Sequence, residues 1–285
     1  MMYCKSPFNY TGGKYKMLPQ LFGYFPNRTG TVVDLFAGGG DVFANAQDAM
    51  HPKRIIANDI NHYVIDIFKE FQQHSIDDLL EKIDGLIKQW NLSSTNMESF
   101  LAFREHYNKT KNPIELFVLV CHSFNHQFRF NSRHDFNTPF GKERSWFNPR
   151  LRENLINFHK SITGIELVSN NFKTFDLNFL SDGDFIYADP PYRITTGSYN
   201  DGKRGFEGWS EREDLALFHL LDHLHEKGVR FALSNVLEHK GRKNDLLKKW
   251  AQNYHTHIID YNYKNSNYHA KNTDKVTIEV LITNY

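Results

Sequence analysis

Four consecutive residues, Asp189-Pro190-Pro191-Tyr192, have the clearest chemical potential in the chain, and they follow an apolar run, Asp184 to Ala188, that is typical of a strand. Two prolines in a row cannot continue a sheet, so the chain must leave the strand in a stiff, extended form. The Asp189 carboxylate and the Pro190 carbonyl can then each accept one hydrogen of a planar amino group, while Tyr192 offers a ring for stacking. This pattern is suited to methylation of an amino nitrogen, whose lone pair must be turned toward a sulfonium methyl group.

A glycine-rich turn ends the first predicted strand, Thr31 to Phe36. Glycines let the chain turn sharply and bring bare backbone against a cofactor, although an ordinary strand-to-helix connection can have the same composition. Asp59 lies about 20 residues beyond the turn, the spacing at which an acidic residue holds the hydroxyls of an adenosine ribose; a helix N-cap is the alternative. Together the two motifs predict a nucleoside-containing cofactor bound by Asp34, Phe36, Ala37, Gly38, Gly39 and Asp59.

A third motif, Phe8 to Lys14, precedes the first strand and contains Gly-Gly-Lys. It resembles a phosphate-binding loop but lacks the spacing of the P-loop pattern. The Tyr10 ring and the Lys14 amine are instead predicted to flank the methionine end of the cofactor.

These motifs need elements to position them, and short apolar runs beside turn residues predict six strands. The predicted strands are Thr31 to Phe36, Arg54 to Ala57, Asp184 to Ala188, Val229 to Ser234, His257 to Tyr261 and Val276 to Ile282. The predicted helices are Val42 to Met50, Tyr63 to His74, Asp77 to Trp90, Met97 to Tyr107, Ile114 to Ser123, Glu211 to Lys227 and Asn244 to Asn253. The alternation predicts an α/β fold, a Rossmann-like and mostly parallel sheet that ends in an antiparallel hairpin.

One stretch, Leu92 to Phe158, interrupts the alternation with helices and a polar, aromatic and basic loop. We interpret residues 92–158 as an inserted, mainly helical recognition lobe, and residues 1–91 and 159–285 as the catalytic domain that binds the cofactor.

The loop from Phe124 to Lys142 mixes aromatic, amide and basic side chains, which suits hydrogen bonding to base edges and stacking in the gap left by an extruded base. Arg129 can contact O6 and N7 of a guanine with both arms of its guanidinium. Other basic side chains suit phosphates, which position a protein without specifying sequence: Arg133, Lys142, Arg144, Arg150 and Arg152. Phe124, Phe128, Phe130 and Phe136 can alternatively be core residues, and we expect this of Phe124 and Phe136. Arg193, Arg204 and the loop Tyr263 to Lys275 either touch the DNA backbone or are solvated.

The overall composition restricts the kinds of ligand and cellular compartment that we expect for this protein. The net charge is only +1, so any nucleic-acid surface must be a local patch. Two cysteines are too few for a disulfide framework, and we find neither a signal peptide nor a membrane-spanning run, so we expect a soluble, cytoplasmic protein. The fifteen histidines are scattered without the spacing of metal ligands, and we expect no metal.

Along the chain the order is the Tyr10 to Lys14 loop, the glycine turn, Asn58-Asp59-Ile60, an inserted lobe and Asp189 to Tyr192. This order resembles that of the Dam-type DNA adenine methyltransferases of the alpha order, the D12 class. The likeness is greatest to the T-even phage Dam enzymes. The likeness extends over nearly the whole chain and implies methyl transfer from S-adenosylmethionine to N6 of an extruded adenine in double-stranded DNA. Tyr10 stands where many members have Trp.

The resemblance also implies site residues and partners. The family's target-recognition element matches Arg129 to Asn131 and Asn137 to Gly141, and we assign DNA contacts to Asn125, Gln127, Arg129, Asn131, Arg133, Asn137, Pro139 and Lys142. His126 and Gln127 stand where relatives often have smaller residues. GATC is the implied target, and a cognate restriction endonuclease is a possible partner. Monomer and weak dimer both stay open.

Two other kinds of function remain in competition. The same tetrapeptide chemistry serves cytosine N4, adenine in RNA, or a glutamine side chain of a protein, although the glutamine enzymes usually begin the tetrapeptide with Asn. A DNA-binding protein without activity is the other alternative, and the retention of both Asp59 and Asp189 argues against it.

Overall fold

The computed structural model describes residues 3–195, 208–259 and 277–285. In these ranges one sheet has the strand order β3-β2-β1-β4-β5-β8-β7, and the short β6 pairs with β5. The strands are β1 (Thr31–Asp34), β2 (Arg54–Asn58), β3 (Glu166–Val168), β4 (Phe185–Ala188), β5 (Arg230–His239), β6 (Arg242–Lys243), β7 (His255–Ile259) and β8 (Thr277–Thr283). Pairing is parallel from β3 through β5, and β8 is antiparallel to both β5 and β7. The predicted fold, mostly parallel with antiparallel C-terminal strands, is confirmed.

Helices surround the sheet. They are α1 (Leu18–Tyr24), α2 (Phe43–Met50), α3 (His62–Gln73), α4 (Ile76–Gln89), α5 (Met97–Thr110), α6 (Pro113–His122), α7 (Pro149–Ile162), α8 (Glu211–Glu226) and α9 (Asp245–Trp250). Several begin at a residue whose side-chain oxygen accepts from the free N–H groups of the first turn. These N-caps are Ser75, Asn96, Asn112, Asn148, Ser210 and Asn244. Among the helices in the described ranges, none is long and apolar enough to cross a membrane.

The sheet is buried on both faces, as the continuous apolar runs of its parallel strands require. Side chains alternate between the faces: Val32 and Tyr187 belong to the core with the helices from α2 to α7, whereas Val33 and Ile186 belong to the core with α8 and α9. The central strands therefore hold their carboxyl ends in fixed positions.

Four elements were missed by the sequence patterns: β3, β6, α1 and α7. Strand β3 is only three residues long, too short to show alternation, and α7 hides an apolar stripe of Leu155, Phe158 and Ile162 within a polar sequence. Strand β5 continues five residues beyond the predicted end at Ser234, because β8 pairs with it as far as His239. The predicted end of the strand that begins near His257 lies outside the described residues.

The stretch between residues 92 and 158 contains α5, α6, the start of α7 and a loop that two isolated β-bridges close, Ser123 with Phe140 and Phe130 with Phe136. Helix α6 packs against α3, α4 and α5, and α7 packs against α2 and α3. We keep 92–158 as the proposed recognition lobe and the flanking segments as the proposed catalytic domain, and note that α7 crosses that boundary.

Substitution of Phe158 tests how much the packing of α7 on the sheet domain contributes to stability. Its ring is fully buried and lies 6.2 Å from the ring of Phe43 and 5.3 Å from that of Phe68. Phe158→Ala is expected to lower the free energy of unfolding by about 3–5 kcal/mol, because it removes buried surface and leaves a cavity. Urea denaturation, monitored by circular dichroism, measures the change in the free energy of unfolding.

The matched control is Leu215→Ala, on the exposed side of α8, which should change stability by no more than about 0.5 kcal/mol. Equal effects of the two substitutions would show that α7 is not integral to the core.

Candidate active site

A cavity of about 690 Å³ lies at the carboxyl ends of β1, β2 and β4, where α/β sheets commonly bind ligands. Its walls come from segments that are distant in the chain: 10–14, 34–39, 58–61, 127–129 and 170–173. Asp189 and Pro191 contribute from the end of β4. The fold thus brings the four sequence motifs and part of the 124–142 loop to one place.

The tetrapeptide Asp189 to Tyr192 leaves β4 at the wall of this cavity. The Asp189 carboxylate has its Oδ2 3.0 Å from the Lys14 ammonium, and its Oδ1 accepts a hydrogen bond of 2.8 Å from the Tyr192 hydroxyl. Lys14 also lies 5.0 Å from the centre of the Tyr192 ring. Pro190 is buried and Pro191 is half-buried. Asp189 is therefore held from two sides, while 17% of its side chain stays exposed.

The pKa of the Asp189 carboxyl is raised, first because burial disfavours the charged form. The Lys14 ammonium lowers this pKa, and the negative charge of Glu279 raises it. The pKa of Tyr192 is raised well above its ordinary value by burial and by the charges of Asp189 and Glu279. The Tyr192 hydroxyl accordingly keeps its proton and acts as a donor.

The glycine turn lies against the Tyr10 ring. Gly38 has φ +48°, and a Cβ on Gly39 would come within 2.7 Å of the Tyr10 Cβ, so the contact requires bare backbone. The Gly38 amide donates to Asp59 Oδ2 at 2.8 Å, and the Asn61 amide donates to Asp59 Oδ1 at 2.7 Å. Asp59 thereby fixes the turn and lines the same cavity.

Asp34, at the end of β1, is another acidic group on the cavity wall. It is 2% exposed, and its Oδ2 accepts from the Phe43 amide at 3.2 Å. Its Oδ1 is buried and has no hydrogen-bond partner within the described part of the chain. Burial, and next the nearby charge of Asp189, raise the pKa of Asp34 well above its ordinary value. A polar ligand group in the cavity would supply the missing partner.

An aromatic wall faces the acidic one. The rings of Phe36, Phe172 and Trp209 lie 5.4 to 5.6 Å apart, and all three side chains line the cavity. The sequence patterns did not identify Phe172 and Trp209 as cavity residues. Phe172 follows β3, which is too short to be predicted, and Trp209 lies just before α8, outside any predicted element. The polar pair Asn170-Asn171, shortly after β3 ends at Val168, is the signal that marks this turn.

The 124–142 loop places Gln127, Phe128 and Arg129 on the cavity wall. The Arg129 Nε donates to Asn137 Oδ1 at 2.9 Å, and the Asn137 amide donates to the Arg129 carbonyl at 2.9 Å. Asn131 Oδ1 accepts from the backbone amides of Arg133 and Asp135. Asn131 and Asn137 therefore both help to hold the loop in shape, and Arg129 is presented from it.

The other predicted DNA contacts lie at the surface. Asn125, Pro139, Arg133 and Lys142 are exposed, with Arg133 and Lys142 side chains 84% and 74% accessible. The Asn125 carbonyl accepts from the Asn9 side chain at 2.9 Å, which ties the loop to the segment before Tyr10.

The expectation that Phe124 is a core residue is wrong. Phe124 is 42% exposed because it lies on a short turn just after α6 ends, whereas Phe136 is buried as expected. Phe130 is also buried, since its ring stacks 4.4 Å from the Tyr63 ring on α3.

Two of the basic side chains considered for DNA make contacts within the protein. Arg193 donates to Asp214 at 2.8 Å and to Asn244 at 3.1 Å, so it anchors the chain that follows Tyr192. Arg152 pairs with Asp84 of α4. Arg204 and the loop Tyr263 to Lys275 lie outside the described residues. Within the described ranges, no group of three or more His, Cys, Asp or Glu side chains is placed to hold a metal ion.

Comparison with known proteins supplies the family. Residues 10–266 match the family model of the D12 class N6 adenine-specific DNA methyltransferases. The chain is 45% identical over 285 residues to the Type II methyltransferase M.FokI of Planomicrobium okeanokoites and 47% identical over 287 residues to the modification methylase StsI of Streptococcus sanguinis. It is 28% identical over 192 residues to the DNA adenine methylase of Haemophilus influenzae, covering 65% of this chain and 63% of that protein.

The first two alignments cover 99% of this chain but 43% of each relative, so the chain spans less than half of their length. The family model, by contrast, covers nearly the whole chain and includes the Tyr10 to Lys14 loop, the glycine turn and Asp189. The chain belongs to the D12 class N6 adenine-specific DNA methyltransferase family.

Proposed function

We propose that this chain transfers a methyl group from S-adenosylmethionine to the exocyclic N6 of an adenine at a defined sequence in double-stranded DNA. The observation that carries the proposal is the Asp189 carboxylate on the wall of a cavity that it shares with the glycine turn, Asp59 and Arg129. Membership of the D12 family supports the same reaction.

The cavity fits the proposed cofactor in size and in chemistry. Its volume of about 690 Å³ is in the range of small-molecule sites. The Asp59 carboxylate suits ribose hydroxyls. The Asp34 Oδ1, which has no hydrogen-bond partner among the described residues, suits a polar group of the ligand. The residues that would hold the cofactor are Tyr10, Lys14, Asp34, Phe36, Ala37, Gly38, Gly39, Asp59 and Asp189. When bound, S-adenosylmethionine supplies an electrophilic methyl group on its sulfonium.

The residues around Asp189 prepare the amino group for attack. The Asp189 carboxylate and the Pro190 carbonyl each accept one N6 hydrogen, which turns the nitrogen toward tetrahedral geometry and exposes its lone pair. The Pro190-Pro191 pair keeps these acceptors in position without a cost of reorganisation. After the N–C bond forms, N6 must lose a proton, and Asp189 is the base hydrogen-bonded to it. Tyr192 anchors the carboxylate through its hydroxyl.

Access to N6 requires the base to leave the helix. Within a duplex the N6 amino group is paired and its base is stacked, so we propose that the adenine is extruded into the cavity, at a cost of a few kcal/mol. Contacts with the pocket offset this cost. The exposed Gln127, beside Arg129, is our candidate to fill the gap that the base leaves.

Target reading is assigned to the 124–142 loop. Arg129 reads a guanine, Asn125 and Gln127 contact base edges or backbone, and the exposed Arg133 and Lys142 contact phosphates. Asn131, Asn137 and Pro139 shape the loop. GATC is the sequence to test first, because the loop resembles the Dam-type recognition element. The names of the relatives, a Type II methyltransferase and a modification methylase, support a restriction-modification role with a restriction endonuclease as partner.

Counting of tritiated methyl groups on DNA, RNA and protein tests the reaction. We expect label on DNA as N6-methyladenine. Label on cytosine, RNA or glutamine would overturn the choice of substrate, and cofactor binding without any transfer would indicate a DNA-binding protein. Sequencing of modified bases in DNA from cells that express this chain alone gives the target; a motif other than GATC would replace the target and leave the reaction intact.

Asp189→Ala is expected to lower kcat by at least about 10²-fold, because it removes an acceptor that acts in the transition state. DNA affinity, measured by fluorescence anisotropy, should change less than threefold. The matched control is Asp48→Ala, an exposed aspartate on α2, which should retain wild-type kcat. Full activity of Asp189→Ala would refute the role of this carboxylate.

The raised pKa of Asp189 predicts a pH dependence. A protonated Asp189 is a weaker acceptor and cannot take the proton that N6 loses, so kcat should rise with pH as Asp189 ionises. The midpoint of this acid limb should lie above about pH 4, the ordinary value for an aspartate. Rates measured from pH 4 to 8, with circular dichroism to verify folding, locate the limb; a rate independent of pH down to 4 would contradict the prediction.

Arg129→Ala is expected to reduce discrimination at one base position by about 1–3 kcal/mol. The matched control is Arg133→Ala, a phosphate contact, which should weaken binding to all sequences alike and reduce the slope of log K against log salt by about 1. Binding to a set of single-base variants of the target separates the two. Unchanged specificity in Arg129→Ala would remove this residue from base reading.

A further inference from the structure

Glu279 is a buried carboxylate in the terminal strand β8. It is 8% exposed and is followed by Val280, Leu281 and Ile282, which are fully buried. A charged group in such an apolar strand costs free energy unless polar partners compensate for its lost hydration. The partners of Glu279 therefore indicate what this residue does.

Those partners belong to the site around Asp189. The Tyr192 hydroxyl lies 2.9 Å from Glu279 Oε1 and 2.8 Å from Asp189 Oδ1. The Lys14 ammonium lies 3.4 Å from the same Glu279 oxygen and 3.0 Å from Asp189 Oδ2. Both donors are thus shared between two carboxylates. Because a phenol has one proton, each hydrogen bond that Tyr192 gives to Glu279 weakens the one that it gives to Asp189.

Glu279 lies behind the reacting groups. Lys14, Asp189 and Pro191 line the cavity, whereas Glu279 and Tyr192 are not among the described residues that do so. A substrate in the cavity would meet Asp189 and not Glu279. Any influence of Glu279 on the reaction must therefore pass through Lys14, Tyr192 and Asp189.

The backbone around Glu279 is adapted to this position. Glu279 pairs with Val236 of β5, but the next residue pair is Ile278 with Glu238, so Leu237 is an extra residue in β5. Such β-bulges redirect side chains and are frequent beside active sites. The carbonyl of Leu237 accepts a hydrogen bond of 2.9 Å from the Asn244 amide, which fixes the bulge at the start of α9.

We propose that Glu279 is a positioning residue for methyl transfer: it shares the Tyr192 hydroxyl and the Lys14 ammonium with Asp189, and so leaves the Asp189 carboxylate able to accept a hydrogen from the substrate amino group. Without Glu279, the single proton of Tyr192 would turn fully to Asp189 and occupy its Oδ1. Lys14, which also donates to the Gly12 carbonyl, would keep Asp189 as its carboxylate partner. This inference rests on the proposed function of the same site.

The charges around Asp189 give the inference a measurable consequence. The charged or titratable groups that face this carboxylate are Lys14, Tyr187, Tyr192, Asp34 and Glu279. Glu279 raises the pKa of Asp189 and Lys14 lowers it. Glu279→Gln replaces the charged acceptor of the Tyr192 hydroxyl by a weaker, neutral one, so the Tyr192 proton should turn toward Asp189. It also removes the negative charge that raises the pKa of Asp189, so this pKa should fall.

The test uses Glu279→Gln in the full chain, with Glu238→Gln on the neighbouring strand as the matched control. For Glu279→Gln we expect kcat to fall by about tenfold, while the KM for S-adenosylmethionine and the Kd for S-adenosylhomocysteine stay within twofold of wild type. The acid limb of kcat should move to lower pH. Glu279→Asp, which restores the charge, should return the limb toward its wild-type position, and Glu238→Gln should change none of these quantities.

The possible outcomes are distinct. A wild-type chain that methylates no DNA overturns the proposed function itself. An active wild type with unchanged kcat and an unmoved acid limb in Glu279→Gln overturns the inference alone. A loss of S-adenosylhomocysteine binding together with a lower Tm in Glu279→Gln also overturns it, because Glu279 would then be a structural residue. A lower kcat with an unchanged KM for S-adenosylmethionine in Glu279→Gln, together with an acid limb of kcat at lower pH, supports the inference.

Discussion

A carboxylate that is largely removed from water, yet still able to accept hydrogen bonds, is the constraint on which this site depends. Burial by itself drives Asp189 toward its neutral form, in which one oxygen becomes a donor. The Lys14 ammonium at 3.0 Å opposes that tendency, and the Tyr192 hydroxyl orients the group. The site thus combines low exposure, which strengthens electrostatic interactions, with a positive charge that favours the ionised form of Asp189.

The parallel sheet meets this constraint because its strands end at one edge. Strand β1 delivers the glycine turn, β2 delivers Asp59 and β4 delivers Asp189, and all three are neighbours in the sheet. The backbone amide of Gly38 bonds to Asp59, so the glycine turn and the Asp59 motif hold each other. Helices on both faces bury these strands, and the geometry of the site therefore rests on the packed core of the sheet.

Recognition is organised differently. The 124–142 loop has few apolar anchors, such as Phe130 and Phe136, and depends otherwise on internal hydrogen bonds of Asn131 and Asn137. This leaves Arg129 exposed at the cavity wall, held by Asn137 at its Nε. Under the proposed function, the loop can change its sequence to read other targets while the sheet edge that holds Asp189 stays the same.

The sequence by itself determined the alternation of most strands and helices and the parallel sheet, because glycine turns, consecutive prolines and apolar periodicity have local physical causes. Its ordered motifs carried the resemblance to the family. Local patterns could not reveal β3 or α7, since three residues show no alternation and an apolar stripe of α7 is hidden among polar residues. They also misplaced Phe124, whose exposure depends on where α6 ends. Only the tertiary structure brought Glu279 to Tyr192, 87 residues earlier in the chain, because the antiparallel pairing of β8 with β5 decides which buried charges meet.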